Sequence, residues 1–171
     1  MKLLATLLVL AAASAGHSDD PVDRVADALV RGFSASGPGR VAAQRHAAAV
    51  LSGEDAHPMP GGEDMAAGWR GRQPAYRMRA LGPAYRGVTL APGQTLHLEQ
   101  TFLAGQRAQI LAASAGRVPF ELTIDEGEGR RSCPTQDRRA RCDWIPTATT
   151  RITIDLYNRG RAADRFVLVL R

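Results

Sequence analysis

From Val88 to Leu170 apolar residues return at every second position between closely spaced turn residues, a rhythm that a helix cannot use and a half-buried strand requires. Val88 and Leu90 alternate with polar or small neighbours, as do Leu96 and Leu98 around His97 and Glu99. Ala108, Ile110 and Ala112 follow, then Phe120, Leu122 and Ile124, then Trp144, then Ile152, Ile154 and Leu156. Phe166 to Leu170 is apolar throughout, as expected of a strand covered on both faces. Ala91-Pro92-Gly93, Ala104-Gly105, Gly127 to Gly129 and Asn158-Arg159-Gly160 supply the turns. About seven short strands at this spacing predict a mainly β chain folded as an antiparallel β-sandwich.

The region before it has a different period. Asp20 suits an N-cap and Pro21 a first helical position, and Val22, Val25, Ala26, Leu29, Val30 and Phe33 recur at steps of three and four. Ser34 to Gly39 interrupts this pattern, and an Ala-rich helix is expected from Arg40 to Leu51, ending at Gly53. From Gly53 to Pro74 the chain reads as a linker or wrap-around segment with a short helix near Glu63 to Trp69. The resulting division is a leader (1–15), an N-terminal α-helical hairpin with its linker (16–75) and a sandwich (76–171). The helical stripe is expected to rest on the sandwich, since exposed apolar stripes are uncommon; docking a partner is the alternative.

Lys2, the apolar run Leu3 to Ala13 and the small residues of Ala13-Ser14-Ala15 form a signal-peptide pattern, placing the mature start at Gly16. No later stretch nears the roughly 20 apolar residues of a spanning helix, so no stable membrane insertion is expected. The protein should therefore work in the periplasm or as a secreted chain. There the two cysteines, Cys133 and Cys142, are expected to form a disulfide, stabilising by roughly 2–3 kcal/mol. Lys2 is the only lysine, and 21 Arg against 17 Asp and Glu leave the mature chain at +4. An exported chain rarely meets nucleic acid, so this balance is not read as a nucleic-acid signal.

Ala91-Pro92-Gly93-Gln94-Thr95, Ala104-Gly105-Gln106, Glu121-Leu122-Thr123-Ile124-Asp125, Trp144-Ile145-Pro146, and Ile152 to Asn158 before Phe166-Val167-Leu168-Val169 come in a familiar order. Over roughly residues 83–171 this resembles the bacterial pre-peptidase C-terminal domain family, with Thr149 or Thr150 where that pattern has Gly-Tyr. The resemblance implies a jelly-roll-like sandwich in a secreted protein, often accessory to a protease and dispensable for its chemistry. It carries over no catalytic residue, and with no protease ahead of it here it implies a free-standing accessory or binding module.

Hydrolytic motifs such as G-x-S-x-G and H-E-x-x-H are lacking, and His17, His46, His57 and His97 are scattered, His97 at a solvent-facing strand position. A non-enzymatic role without a cofactor is expected. Asp125-Glu126-Gly127-Glu128, with Asp137 and Asp143 nearby, offers oxygen ligands for calcium but not the spacing of a calcium loop, so a solvated turn is the expectation. Gly16-His17, and His57 with Met59 and Met65, are the residues a copper-binding alternative would use. Arg130, Arg131, Arg138, Arg139 and Arg141 crowd around the two cysteines. A stapled Arg-rich loop suits an envelope protein or an anionic glycan or lipid headgroup, while Trp144 beside it is expected in the core.

Overall fold

The computed structural model describes residues 19–71, 82–116, 118–127 and 129–171. The segment expected to be a leader, Gly16-His17 and Glu128 lie outside them. Three helices precede most of the strands: α1 (Pro21–Ser34), α2 (Arg40–Gly53) and α3 (Met65–Arg70). Asp20 caps α1 by accepting from the Val22 N–H at 2.9 Å, with Pro21 in the first turn, where no N–H is needed. Asp64 caps α3 in the same way through the Ala67 N–H.

The strands are β1 (His57–Pro58), β2 (Ala84–Leu90), β3 (Thr95–Phe102), β4 (Ala108–Ser114), β5 (Phe120–Asp125), β6 (Arg130–Ser132), β7 (Thr135–Gln136), β8 (Arg139–Trp144), β9 (Thr150–Asn158) and β10 (Asp164–Leu170). One sheet runs β1-β2-β10-β4-β8-β7 and the other β3-β9-β5-β6. Strands β2, β10, β4 and β8 against β3, β9, β5 and β6 give the strand order of a jelly roll, so the antiparallel sandwich expected from the alternation is the fold. β1 lies in the stretch read as a linker; it pairs in parallel with β2, His57 opposite Ala84, and extends the first sheet by one short edge.

The six-stranded sheet is covered on both faces. Ile110, Ala112, Phe166 and Leu168 point into the sandwich against Leu122, Ile152, Ile154 and Leu156, while Leu111, Ala113, Val167 and Val169 meet Val22, Val25 and Leu29 of α1 and Leu51 of α2 on the other side. This second core explains why Phe166 to Leu170 of β10 is apolar at every position, and it seats the stripe of α1 on the sheet. Tyr85, fully buried, reaches from β2 into the helical layer, where its hydroxyl donates to Asp64 at 3.3 Å. Burial, with Asp64 beside it, pushes that phenol up to about 12.

Gly87 and Gly32 let the layers approach, facing the rings of Phe33 and Trp69 respectively. A Cβ on Gly87 would sit 2.7 Å from the ring of Phe33, which meets Trp69 edge-on and carries the Arg165 guanidinium 4.4 Å from its centroid. Arg24 forks onto Glu54 at 2.7 and 3.0 Å and ties α1 to the end of α2. Met59 is buried in the sandwich core and Met65 in the core under the helices. The six-stranded sheet thus lies between the two methionines named for the copper alternative.

Candidate functional site

Cys133 and Cys142 are joined. The Cys133 N–H still donates to Leu122 of β5, whereas Cys142 belongs to β8, so the bond crosses between the sheets where the chain passes from β6 to β7. The segment it encloses is a two-residue hairpin: Gln136 pairs with Arg139, and the turn residues Asp137 and Arg138 both have positive φ, 47° and 65°. Such turns ordinarily take Asn-Gly, so an Asp-Arg pair holds this one at a conformational cost.

Arg139 and Arg141 project from β8 beside the first turns of α1. Arg141 donates to Asp23 at 2.7 Å and to Asp20, and reaches Asp143 at 3.3 Å; its side chain is 30 % exposed. Arg139 pairs with Asp27 and, at 3.5 Å, with Asp23. Gln109, buried on β4, bridges Asp20 at 2.7 Å and Asp143 at 3.3 Å, and Arg107 forks onto Asp143. Desolvation works against the Asp20 carboxylate, but hydrogen bonds from Arg141, Val22 and Gln109 outweigh it and hold the group below its ordinary 3.8. Arg107 does the same for Asp143.

These shifts have a signed consequence. Carboxylates held low when folded add stability that is complete above their unfolded value near 3.8 and disappears as pH falls through the folded values beneath it. Urea midpoints measured downward from pH 5 should hold to about pH 4 and then drop. In Arg141→Met the drop should be shallower, because Asp20 loses a group that holds it low.

A cleft of about 660 Å³ opens between α1 and the hairpin. Leu111, Pro134 and Cys142 form apolar wall, Ser132 and Gln136 add neutral polar groups, and charged residues of both signs, among them Asp23, Arg139 and Arg141, line the rest. The five arginines of the cysteine loop therefore separate. Arg131, Arg139 and Arg141 line the cleft; Arg131 also pairs with Glu126 at 2.8 Å and lies 5.2 Å from the centroid of Trp144. Arg138 sits on the turn and donates to the Gly116 carbonyl at 3.2 Å. Arg130 points away, to the outer face of the four-stranded sheet, where it donates to Asp155 at 2.7 Å.

On that outer face Asp155 is 7 % exposed and also meets His97 Nδ1 at 2.6 Å, which places the proton on Nδ1 and leaves Nε2 toward solvent. Thr95, Glu121, Thr123 and Tyr157 complete a shallow groove of about 440 Å³. His97 faces solvent as its strand position requires, its side chain 70 % exposed. Trp144 is half-buried against the sandwich core and 5.2 Å from Phe102, its buried Nε1 without a hydrogen-bond partner among the described residues. Asp125 accepts from the Gly127 N–H at 2.9 Å, an ordinary turn contact. Among the described residues no three His, Cys, Asp or Glu side chains converge as metal ligands, and no helix is long and apolar enough to cross a membrane.

Asp20, Asp23, Asp27 and Gln109 were not singled out as site residues by the sequence. The signal was a row of carboxylates at positions 20, 23 and 27, on one side of α1, matched to two arginines at i and i+2 of a strand.

No protein-family model matches the chain, and no curated protein sequence does. Among solved structures, the chain is similar to the pre-peptidase C-terminal domain of a collagenase from Bacillus anthracis, with a TM-score of 0.43 and 4 % identity over 50 % of this chain and 87 % of that one. It is also similar to Aeromonas hydrophila PliG, a periplasmic lysozyme inhibitor of g-type lysozyme, with a TM-score of 0.38 and 14 % identity over 52 % and 86 %. A de novo designed double-stranded β-helix aligns at 0.32, with 15 % identity over 51 % and 97 %.

Proposed function

We propose that the chain is an exported, non-catalytic recognition module that holds a protein partner in the cleft between α1 and the disulfide hairpin. The observation that carries this reading is that the cleft is built in advance. Its hairpin wall is closed by the Cys133–Cys142 bond, and Arg139 and Arg141 are held by Asp20, Asp23 and Asp27, so little ordering is left to be done on binding. The chemistry of the walls selects the partner class. Arg131, Arg139 and Arg141 alternate with Asp23, Asp137 and Asp143 over apolar wall, which suits a protein segment of mixed polarity better than a uniformly anionic polymer.

The test is capture from bacterial envelope extract by the wild-type protein, by Gln136→Trp, which fills the cleft mouth, and by Arg45→Ala, on an exposed position of α2. A protein held by the wild type and by Arg45→Ala, weakened about tenfold or more by Gln136→Trp and only modestly by added salt, is the expected result. Equal capture by Gln136→Trp, or capture of a polyanion that salt abolishes, would overturn the reading.

A further inference from the structure

The four lateral edges of the sandwich are not alike. β1 and β7, at the edges of the six-stranded sheet, have two residues each, and β6, at one edge of the other, has three. Short edges of this kind leave little for another chain to pair with. β3 has eight residues, Thr95 to Phe102, with no proline, and its register with β9 runs unbroken along all of them. Among the described residues no strand pairs with its other side.

The direction of its backbone groups follows from the neighbouring hydrogen bonds. The Asn158 N–H donates to the Gln94 carbonyl, and the Arg159 N–H to the Pro119 carbonyl. Continued along both ladders, these put the even residues of β9 in hydrogen-bonded pairs with β3 and its odd residues in pairs with β5. Thr95, His97, Glu99 and Thr101 consequently aim their own N–H and C=O groups away from β9, outward from the edge.

We propose that this edge is an isologous interface that pairs β3 with β3 of a second copy of the chain, antiparallel, across a two-fold axis at Leu98. That register makes odd residues face odd ones, as outward-aimed backbone groups require. It sets His97 against Glu99 of the second copy, and Glu99 against its His97, so no like charges face each other across the axis, while each Glu99 keeps Arg151 at 3.3 Å and each His97 keeps Asp155 at 2.6 Å. The half-buried Leu96 and Leu98, packed at the rim of the sandwich core, gain cover on the inner face. The two four-stranded sheets become one eight-stranded sheet, and both clefts stay open.

Sedimentation equilibrium from micromolar to submillimolar protein should show a monomer–dimer equilibrium. Glu99→Pro removes an outward N–H that no intrachain strand uses, and should weaken the dimer roughly tenfold or more while leaving the melting temperature nearly unchanged, because symmetry applies the change twice. Leu98→Cys should cross-link under oxidation, since directly opposed residues at a non-hydrogen-bonded site come within disulfide reach. On the wild type alone, amide exchange at His97, Glu99 and Thr101 should slow as concentration rises. A chain that stays monomeric with concentration-independent exchange, or a dimer that Glu99→Pro leaves intact, would refute the interface.

Discussion

Replacing Cys133 and Cys142 together by alanine is expected to lower the unfolding free energy by about 3 kcal/mol, read from urea unfolding as a lower midpoint, with a slope that rises if it changes because the unfolded chain loses its cross-link. The chain-entropy cost of leaving a loop this short open accounts for most of that figure, and both sulfurs are buried at the seam, so packing is lost as well. The location makes the effect more than a stability change. Cys133 is hydrogen-bonded to the four-stranded sheet and Cys142 belongs to the six-stranded one, so without the bond the sandwich is free to part at the side where the cleft lies. Partner capture should therefore weaken by more than the unfolded fraction explains. Reducing agent should reproduce the loss in the wild type and change nothing in the double variant; a loss under about 1 kcal/mol would mean the hairpin holds without its staple.

Gly32→Ala should destabilise by about 2 kcal/mol, although alanine in place of a helical glycine ordinarily gains about 1 kcal/mol. Gly32 lies within α1, and a Cβ there would fall 2.3, 2.5 and 2.9 Å from three ring atoms of Trp69. The indole lies over the bare helix backbone and meets Phe33 edge-on. It can move only by giving up that contact, and overpacking of this kind costs up to about 3 kcal/mol, more than the propensity gain. Gly32→Ala with Trp69→Leu should recover much of the loss, because the smaller side chain makes room for the methyl. Thermal melts of the two variants decide the sign, and a stabilised Gly32→Ala would show that Trp69 shifts at no cost.

The parts of this fold that repeat along the chain were legible in the sequence. Asp20, Pro21 and the stripe from Val22 to Phe33 specify α1, and alternating apolar residues mark the long strands of both sheets. What escaped were elements too short to show a period, β1, β6 and β7, which exist only because a neighbouring strand offers hydrogen bonds. β4 was read by one face, Ala108, Ile110 and Ala112, although Leu111 and Ala113 carry a second apolar face that seats α1. The candidate site was half visible. The stapled loop and its arginines stand out, but the carboxylates that fix Arg141 lie 121 and 118 residues away in sequence at Asp20 and Asp23. Their pairing is a product of the tertiary fold, and no local pattern expresses it.

The seat of α1 also orders events in time. Its stripe rests on Val167 and Val169 of β10 and on Leu111 and Ala113 of β4, and its first turn is held by Arg141. A ribosome makes α1 well before β10, so the helix cannot complete its seat until that strand has emerged. Native contacts of such wide separation close slowly, and until they close the N-terminal segment remains an unanchored amphipathic strand of chain. Docking of the helical layer is thereby made a late event by topology alone.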